Sequence, residues 1–279
     1  MQNTGKETTL LPVLKTYLLH PDPEHPFAGE NHSPKMKENK YDCERFFKKY
    51  SQMPRSQKGL EGAGEWHALE KMMPDCCGKR VLDLGCGYGW HCRYAIEHGA
   101  VSCTGIDISE KMLHQAQKRN GSLWTNYRCM AIEDFEFEPE SFDVVISSLA
   151  FHYLESFDDI CEKVHRCLTP GGSFVFSVEH PVFTAQGSQE WILNENGRPM
   201  HWPVDKYFTE GKRHARFLGS KVTKFHKTLT TYVNGLIRAG FTITGLVEPR
   251  PDETMLDTIP GMRNELRRPM MLIVSAAKT

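Results

Sequence analysis

The chain has 279 residues, room for one large domain with extensions or for two small ones. Its 34 basic and 35 acidic residues leave a net charge of −1, too little positive field to favour nucleic acid as a partner. No apolar run reaches the roughly 18 residues a membrane helix needs, and the polar start, Met1 to Lys6, lacks the apolar stretch of a secretory signal.

The nine cysteines are scattered, with no C-x-x-C pair and no zinc-finger spacing of cysteine and histidine. No metal is expected, and a reduced, cytoplasmic setting is. Residues 1–40 read as an N-terminal extension. Leu10, Leu11, Val13, Leu14, Tyr17 and Leu18 have helical spacing. The proline-rich stretch from His20 to Pro26 excludes regular structure. A loose leader fits, and so does an arm docked on the domain or on a second subunit, which leaves a homodimer open. The proline-broken spacing of His20, His25 and His32 speaks against a metal site.

Residues 41–53 carry Tyr41, Phe46, Phe47 and Tyr50 among charges and predict an amphipathic helix. Residues 59–73, with Trp66 and Leu69, predict a second one, ended by Pro74. From Arg80 strand and helix alternate. Strands are expected at 80–84, 101–106, 126–130, 142–147 and 173–178, and helices at 90–98, 110–120 and 157–167. Ser109 is placed to cap the second of these helices, and Gly99 and Gly121 stop the first two. A tight turn, Thr169-Pro170-Gly171-Gly172, precedes the fifth strand. Residues 180–224 break the rhythm, with few periodic segments but many aromatics, among them Trp191, Trp202, Tyr207 and Phe217. They read as a cap-like insertion ahead of a helix at 229–237, which Gly240 stops. Strands at 241–247 and 270–276 end the chain.

The stretch Val81-Leu82-Asp83-Leu84-Gly85-Cys86-Gly87-Tyr88-Gly89 organises all of this. A short buried strand runs into a turn where the backbone passes close to a ligand, and a helix follows. A dinucleotide fingerprint would need glycine where Trp90 stands, and the indole would crowd the close helix–strand contact. A dehydrogenase is thereby disfavoured. Asp-x-Gly-x-Gly-x-Gly, with Asp107 22 residues after Gly85, resembles motif I of the class I S-adenosylmethionine methyltransferases. The Leu168-Thr169-Pro170-Gly171-Gly172 turn and the terminal strand pair are similar to that family as well.

The resemblance covers about residues 41–279 and is nearest to the broad small-molecule group that includes the ubiquinone/menaquinone type. It implies an α/β fold: a three-layer, Rossmann-like, seven-stranded sheet with helices on both faces. That sheet is mostly parallel, with an antiparallel seventh strand between the fifth and sixth. It implies S-adenosyl-L-methionine as cofactor and methyl transfer to a small-molecule acceptor, releasing S-adenosylhomocysteine.

Several residues take roles in that frame. Gly85, Cys86 and Gly87 let the backbone approach the cofactor's methionine part. Asp83 suits its ammonium, or else braces the turn. Asp107, at the end of the second strand, suits the ribose hydroxyls. Ile108 and Met112 offer adenine an apolar face. Ala131, Ile132 and Glu133, with Asp134, stand at its edge, and Ala131 replaces an acid found in many relatives. Tyr50 and Arg55 either cover the cofactor or only pack their helices. Ser147 or Ser148 faces the cofactor carboxylate. The fourth strand continues as Leu149-Ala150-Phe151-His152-Tyr153 and not as Asn-Pro-Pro-Tyr or Asp-Pro-Pro-Tyr, which argues against amide or base nitrogen as the acceptor. His152 and His180 are candidates for a general base, each with a structural role as the alternative. The insertion's aromatics form either an acceptor wall, with Trp202 and Tyr207 lining it, or only the core of a cap. The rival functions are an RNA or protein methyltransferase and a non-catalytic scaffold that binds the cofactor.

Overall fold

A computed structural model describes residue 37 and residues 39–279. The helix expected at 10–18, the histidines His20, His25 and His32 and nearly all of the 1–40 extension lie outside the described residues. Among the described residues, three short helices precede the first strand: α1 (Glu44–Tyr50), α2 (Pro54–Lys58) and α3 (Trp66–Leu69). The single helix expected over residues 59–73 does not form. Gly59 sits at φ 68°, and a Cβ on Gly62 would lie 2.3 Å from the Pro54 carbonyl oxygen, so the chain folds back on α2 there.

Next come β1 (Arg80–Leu84), α4 (Trp90–Glu97), β2 (Ser102–Asp107), α5 (Glu110–Asn120), β3 (Thr125–Cys129), β4 (Phe142–Ser148) and α6 (Asp158–Cys167), each within one residue of its expected bounds. Ser109 caps α5 by accepting the Met112 amide at 3.2 Å. β5 (Leu168–Glu179) starts earlier than expected. The Thr-Pro-Gly-Gly residues belong to the strand, with a register shift against β4 and Gly171 at φ 75°.

The insertion has regular structure, contrary to the expectation of few periodic segments. It holds α7 (Pro181–Ala185), a small hairpin of β6 (Ile192–Leu193) and β7 (Pro199–His201), and a longer antiparallel hairpin of β8 (Gly211–Phe217) and β9 (Ser220–His226). β9 does alternate, burying Val222, Lys224 and His226, but two of these three are polar. A search for apolar alternation therefore passes over it. The chain closes with α8 (Leu229–Arg238), β10 (Phe241–Val247), α9 (Glu253–Thr258) and β11 (Met271–Lys278).

The main sheet runs β10-β11-β5-β4-β1-β2-β3. It is parallel except for β11, which is antiparallel to both neighbours. Strand alternation splits β1 between two cores. Val81 faces Cys92 and Ala95 of α4 and Leu113 of α5. Leu82 and Leu84 face the other layer, where Ile160 and Val164 of α6 meet Tyr232 and Leu236 of α8. Both faces are covered, so the central strands are mostly apolar, and each large apolar side chain buried there contributes about 1.5–3 kcal/mol. The chain leaves β1 toward β2 on one side and returns as β4 on the other. This is the switch point outside whose strand ends an open α/β sheet binds ligand.

Candidate cofactor and acceptor site

A cavity of about 480 Å³ lies at the ends of β1, β2 and β4, a size typical of small-ligand sites. The glycine turn forms its floor. Gly85, at φ 77°, has no room for a side chain, since a Cβ would lie 2.6 Å from the Ala150 Cβ. The amides of Gly85 and Cys86 both donate to the Ile106 carbonyl at 2.9 Å, which fixes the turn to β2.

Asp107 faces the cavity from the end of β2. Its oxygens accept the amides of Gly87 and Ser109, each at 2.9 Å. Burial nonetheless pushes its carboxyl up to about 6, against the pull of those two amides. Ile108 and Met112 line the wall beside it, and Ala131, Ile132 and Glu133 line it from the segment after β3. Asp134 turns outward and pairs with Lys37.

The segment ahead of α1 is fastened to this end. Asp42 accepts from the Ser109 hydroxyl at 2.6 Å and the Lys111 amide at 3.1 Å, and Lys111 pairs with Glu44 of α1. Tyr50 and Arg55 line the cavity from α1 and α2. Arg55 donates to buried Glu65 at 2.5 Å, and Ser148 donates to the same Glu65 oxygen at 3.0 Å. Burial works to raise the Glu65 carboxyl, but the Arg55 guanidinium holds it below the usual range.

The other half of the cavity is built from the ends of β4 and β5 and from the insertion. Leu149 holds φ 53°, a strained value for leucine, locked by its amide bond to the Ser177 carbonyl at 2.9 Å. His152 is 3% exposed. Its Nδ1 accepts the Glu179 amide at 3.4 Å, and burial lowers it to about 4 although Glu179 opposes this. The Glu179 carboxylate holds Lys224 of β9 through one oxygen and Gln189 through the other, at 2.7 Å, and Lys224 also donates to Gln189 at 3.0 Å. Phe183 and Phe217 add apolar wall.

Five sequence expectations are corrected. Asp83 does not line the cavity. As an odd-numbered residue of β1 it points with Val81 toward α4, fully buried, where the Cys92 thiol donates to it at 3.4 Å. That leaves it the bracing role. Ser147 is also fully buried, its hydroxyl donating to the Leu84 carbonyl at 2.8 Å, while Ser148, one position on, lines the cavity. His180 lies outside the cavity wall. Its Nδ1 caps α7 by accepting the Val182 amide at 3.0 Å, and its Nε2 sits 2.9 Å from Glu248. Trp202 stacks on Phe183 with ring centroids 5.1 Å apart and donates to the Val182 carbonyl. It backs the wall without lining it. The Tyr207 hydroxyl accepts the Leu229 amide at 3.2 Å and braces the start of α8.

Glu65, Glu179, Lys224 and Gln189 carry no motif and were missed. The one available signal was strand parity: where His180 was named, the residue before it faces the cavity.

Residues 82–176 match the family described as "Methyltransferase domain". The chain is 54% identical to a Listeria monocytogenes protein assigned as an S-adenosylmethionine dependent methyltransferase, with a TM-score of 0.72 over 77% of this chain and 98% of that one. The chain belongs to the S-adenosylmethionine-dependent methyltransferases. Another such methyltransferase, from Mesorhizobium loti, is 43% identical with a TM-score of 0.73, covering 78% of this chain and all of its own. An uncharacterized protein of Haemophilus influenzae is 34% identical over 85% of this chain and 96% of its own. Two matches to curated methyltransferases with assigned substrates are shorter. A tRNA U34 carboxymethyltransferase of Methylococcus capsulatus is 32% identical over 48% of this chain and 41% of its own. A ubiquinone biosynthesis O-methyltransferase of Neisseria meningitidis is 32% identical over 44% of this chain and 57% of its own. The chain thus spans about half the length of these two.

This methyltransferase uses S-adenosyl-L-methionine, and the residues present fit that molecule. The glycine turn leaves room for a backbone approach, Asp107 keeps lone pairs beyond its two amide bonds, and Arg55 with Glu65 sets a cation and an anion beside the turn. Among the described residues no helix is long and apolar enough to cross a membrane, and no group of three or more His, Cys, Asp or Glu side chains could hold a metal ion.

Proposed function

We propose that this methyltransferase acts on a small molecule seated in the half of the cavity lined by His152, Glu179 and Lys224. The observation that carries this reading is the continuity of one cavity from Asp107 at the end of β2 to Lys224 in the β8–β9 hairpin. A cofactor over β1 and β2 leaves its reactive group facing a half-site walled by Tyr41, Phe183 and Phe217, surfaces that suit an apolar body. The net charge of −1 provides no field for a polyanion such as tRNA.

In this reading Asp107 accepts the ribose hydroxyls. Ile108 and Met112 flank adenine, with Ala131, Ile132 and Glu133 at its edge, and the Gly85-Cys86-Gly87 turn admits the methionine part beneath Tyr50 and Arg55. Bound cofactor supplies a methyl group already activated for transfer. The chain's own work is to align the acceptor and exclude water. His152 is neutral at pH 7 and, with Nδ1 accepting an amide, carries its proton on Nε2. It therefore acts as a donor that orients an acceptor oxygen, and proton removal is not its part. All nine cysteines are free thiols, which supports a reducing compartment such as the cytoplasm.

The test is a screen of the purified chain against small hydroxy, amino, thiol and carboxylate acceptors and against unmodified tRNA, read by release of S-adenosylhomocysteine. Turnover of a small molecule and none of tRNA is expected. The reverse outcome overturns the reading.

A further inference from the structure

We propose that Arg55 and Glu65 together clamp the amino-acid end of the cofactor, Arg55 taking its carboxylate and Glu65 its ammonium. The inference rests on the cofactor placement given above. The strand order β4-β1-β2 fixes the direction. With ribose at Asp107 of β2, the molecule crosses the glycine turn at the end of β1, and its far end reaches β4. Ser148 ends β4, and its hydroxyl donates to Glu65 at 3.0 Å.

The acid of the glycine motif cannot serve there. Asp83 is fully buried on the α4 side of β1, out of the cavity. Glu65 lines the cavity with its side chain 2% exposed. One of its oxygens takes both Arg55 and Ser148, and the other makes no hydrogen bond to another residue. Arg55, with five donors, spends one nitrogen on Glu65 and also lines the cavity. A buried ion pair is expensive to maintain and adds little net stability by itself. Set against the glycine turn, its two charges complement the ammonium and carboxylate of an amino acid. The competing account is a brace that ties α2 to β4 and touches no ligand.

Calorimetry on the full chain separates the two accounts with two probes. S-Adenosylhomocysteine carries the amino-acid group, and 5′-methylthioadenosine has the same nucleoside and sulfur without it. Glu65→Gln keeps the shape of the pair and removes its negative charge. It should weaken S-adenosylhomocysteine by about 10-fold or more while changing methylthioadenosine by less than about 2-fold. An equal loss for both probes, or no loss for either, overturns the clamp. If Glu65→Gln does not fold, the wild-type chain is compared with the desamino analogue of S-adenosylhomocysteine. A drop of about 10-fold is expected, and equal affinity overturns the proposal. Failure of both probes to bind the wild-type chain would sink the cofactor placement itself.

Discussion

The Asp107 carboxylate accepts the Gly87 amide at 2.9 Å, tying the end of β2 to the glycine turn that follows β1. Burial raises this carboxyl from 3.8 to about 6, so its folded value lies above its unfolded one. The linkage sign follows: folding stability falls as pH rises from about 4 to about 6, and at pH 7 the ionised group costs on the order of 3 kcal/mol. Asp107→Asn should recover part of that, about 1 kcal/mol, because Asn gives up one of the two amide bonds. The same change should weaken S-adenosylhomocysteine by about 1.5–3 kcal/mol. Thermal unfolding of the ligand-free protein and calorimetry check the two halves. Wild-type affinity in Asp107→Asn would remove Asp107 from the cofactor site.

Much of this arrangement is legible in the chain, and three of the errors concern the face a residue takes. Ser147 and His180 each adjoin a residue that lines the cavity, Ser148 and Glu179, and Asp83 turns to the α4 side of β1. Motif spacing located the strand ends, but only the packing of α4 and α7 shows which neighbour turns inward. The choice between Ser147 and Ser148 stayed open, whereas Asp107 was readable because the strand-end position itself decides its exposure. Glu65 and Lys224 were not, because each is buried through a partner far along the chain: Glu65 by Ser148, Lys224 by Glu179. The β8–β9 hairpin was hidden by polar residues on its inner face.

Lys224 and Glu179 form an ion pair in the cavity wall, with side chains 4% and 16% exposed. Lys224→Met alone leaves Glu179 buried without its cation and should cost about 3–5 kcal/mol. Adding Glu179→Gln should restore much of the loss, since an amide can still bond Gln189. Urea unfolding of the two variants measures this. A double variant no more stable than Lys224→Met would show that the pair is not coupled.

His152 should remain neutral through the working pH range. Its folded value, about 4, lies below the ordinary 6.5, so stability is lost as pH falls from about 6.5 toward 4 and is unaffected above. Its ring resonances, followed by NMR, should show no protonation down to about pH 5. A midpoint near 6.5 would return the proton-acceptor role to this residue.

Trp202 and Phe217 should behave differently. The Arg268 guanidinium lies 4.1 Å from the Trp202 ring centroid, on a side chain already stacked against Phe183. Trp202→Ala should destabilise the chain by about 2–3 kcal/mol, below the range for a fully buried tryptophan. Phe217→Ala, at the cavity wall, should raise KM for the acceptor several-fold by about 1 kcal/mol of lost contact. Melting curves and steady-state kinetics separate the two. A Trp202→Ala change confined to acceptor KM would put the indole back in the site.

A crystal structure of the chain with S-adenosylhomocysteine tests the central claim most directly. The account predicts ribose hydroxyls on Asp107, the amino-acid end between Arg55 and Glu65, and the sulfur turned toward the half of the cavity that holds His152, Glu179 and Lys224. A sulfur facing away from His152, or an adenosyl group filling the His152 half, would contradict it.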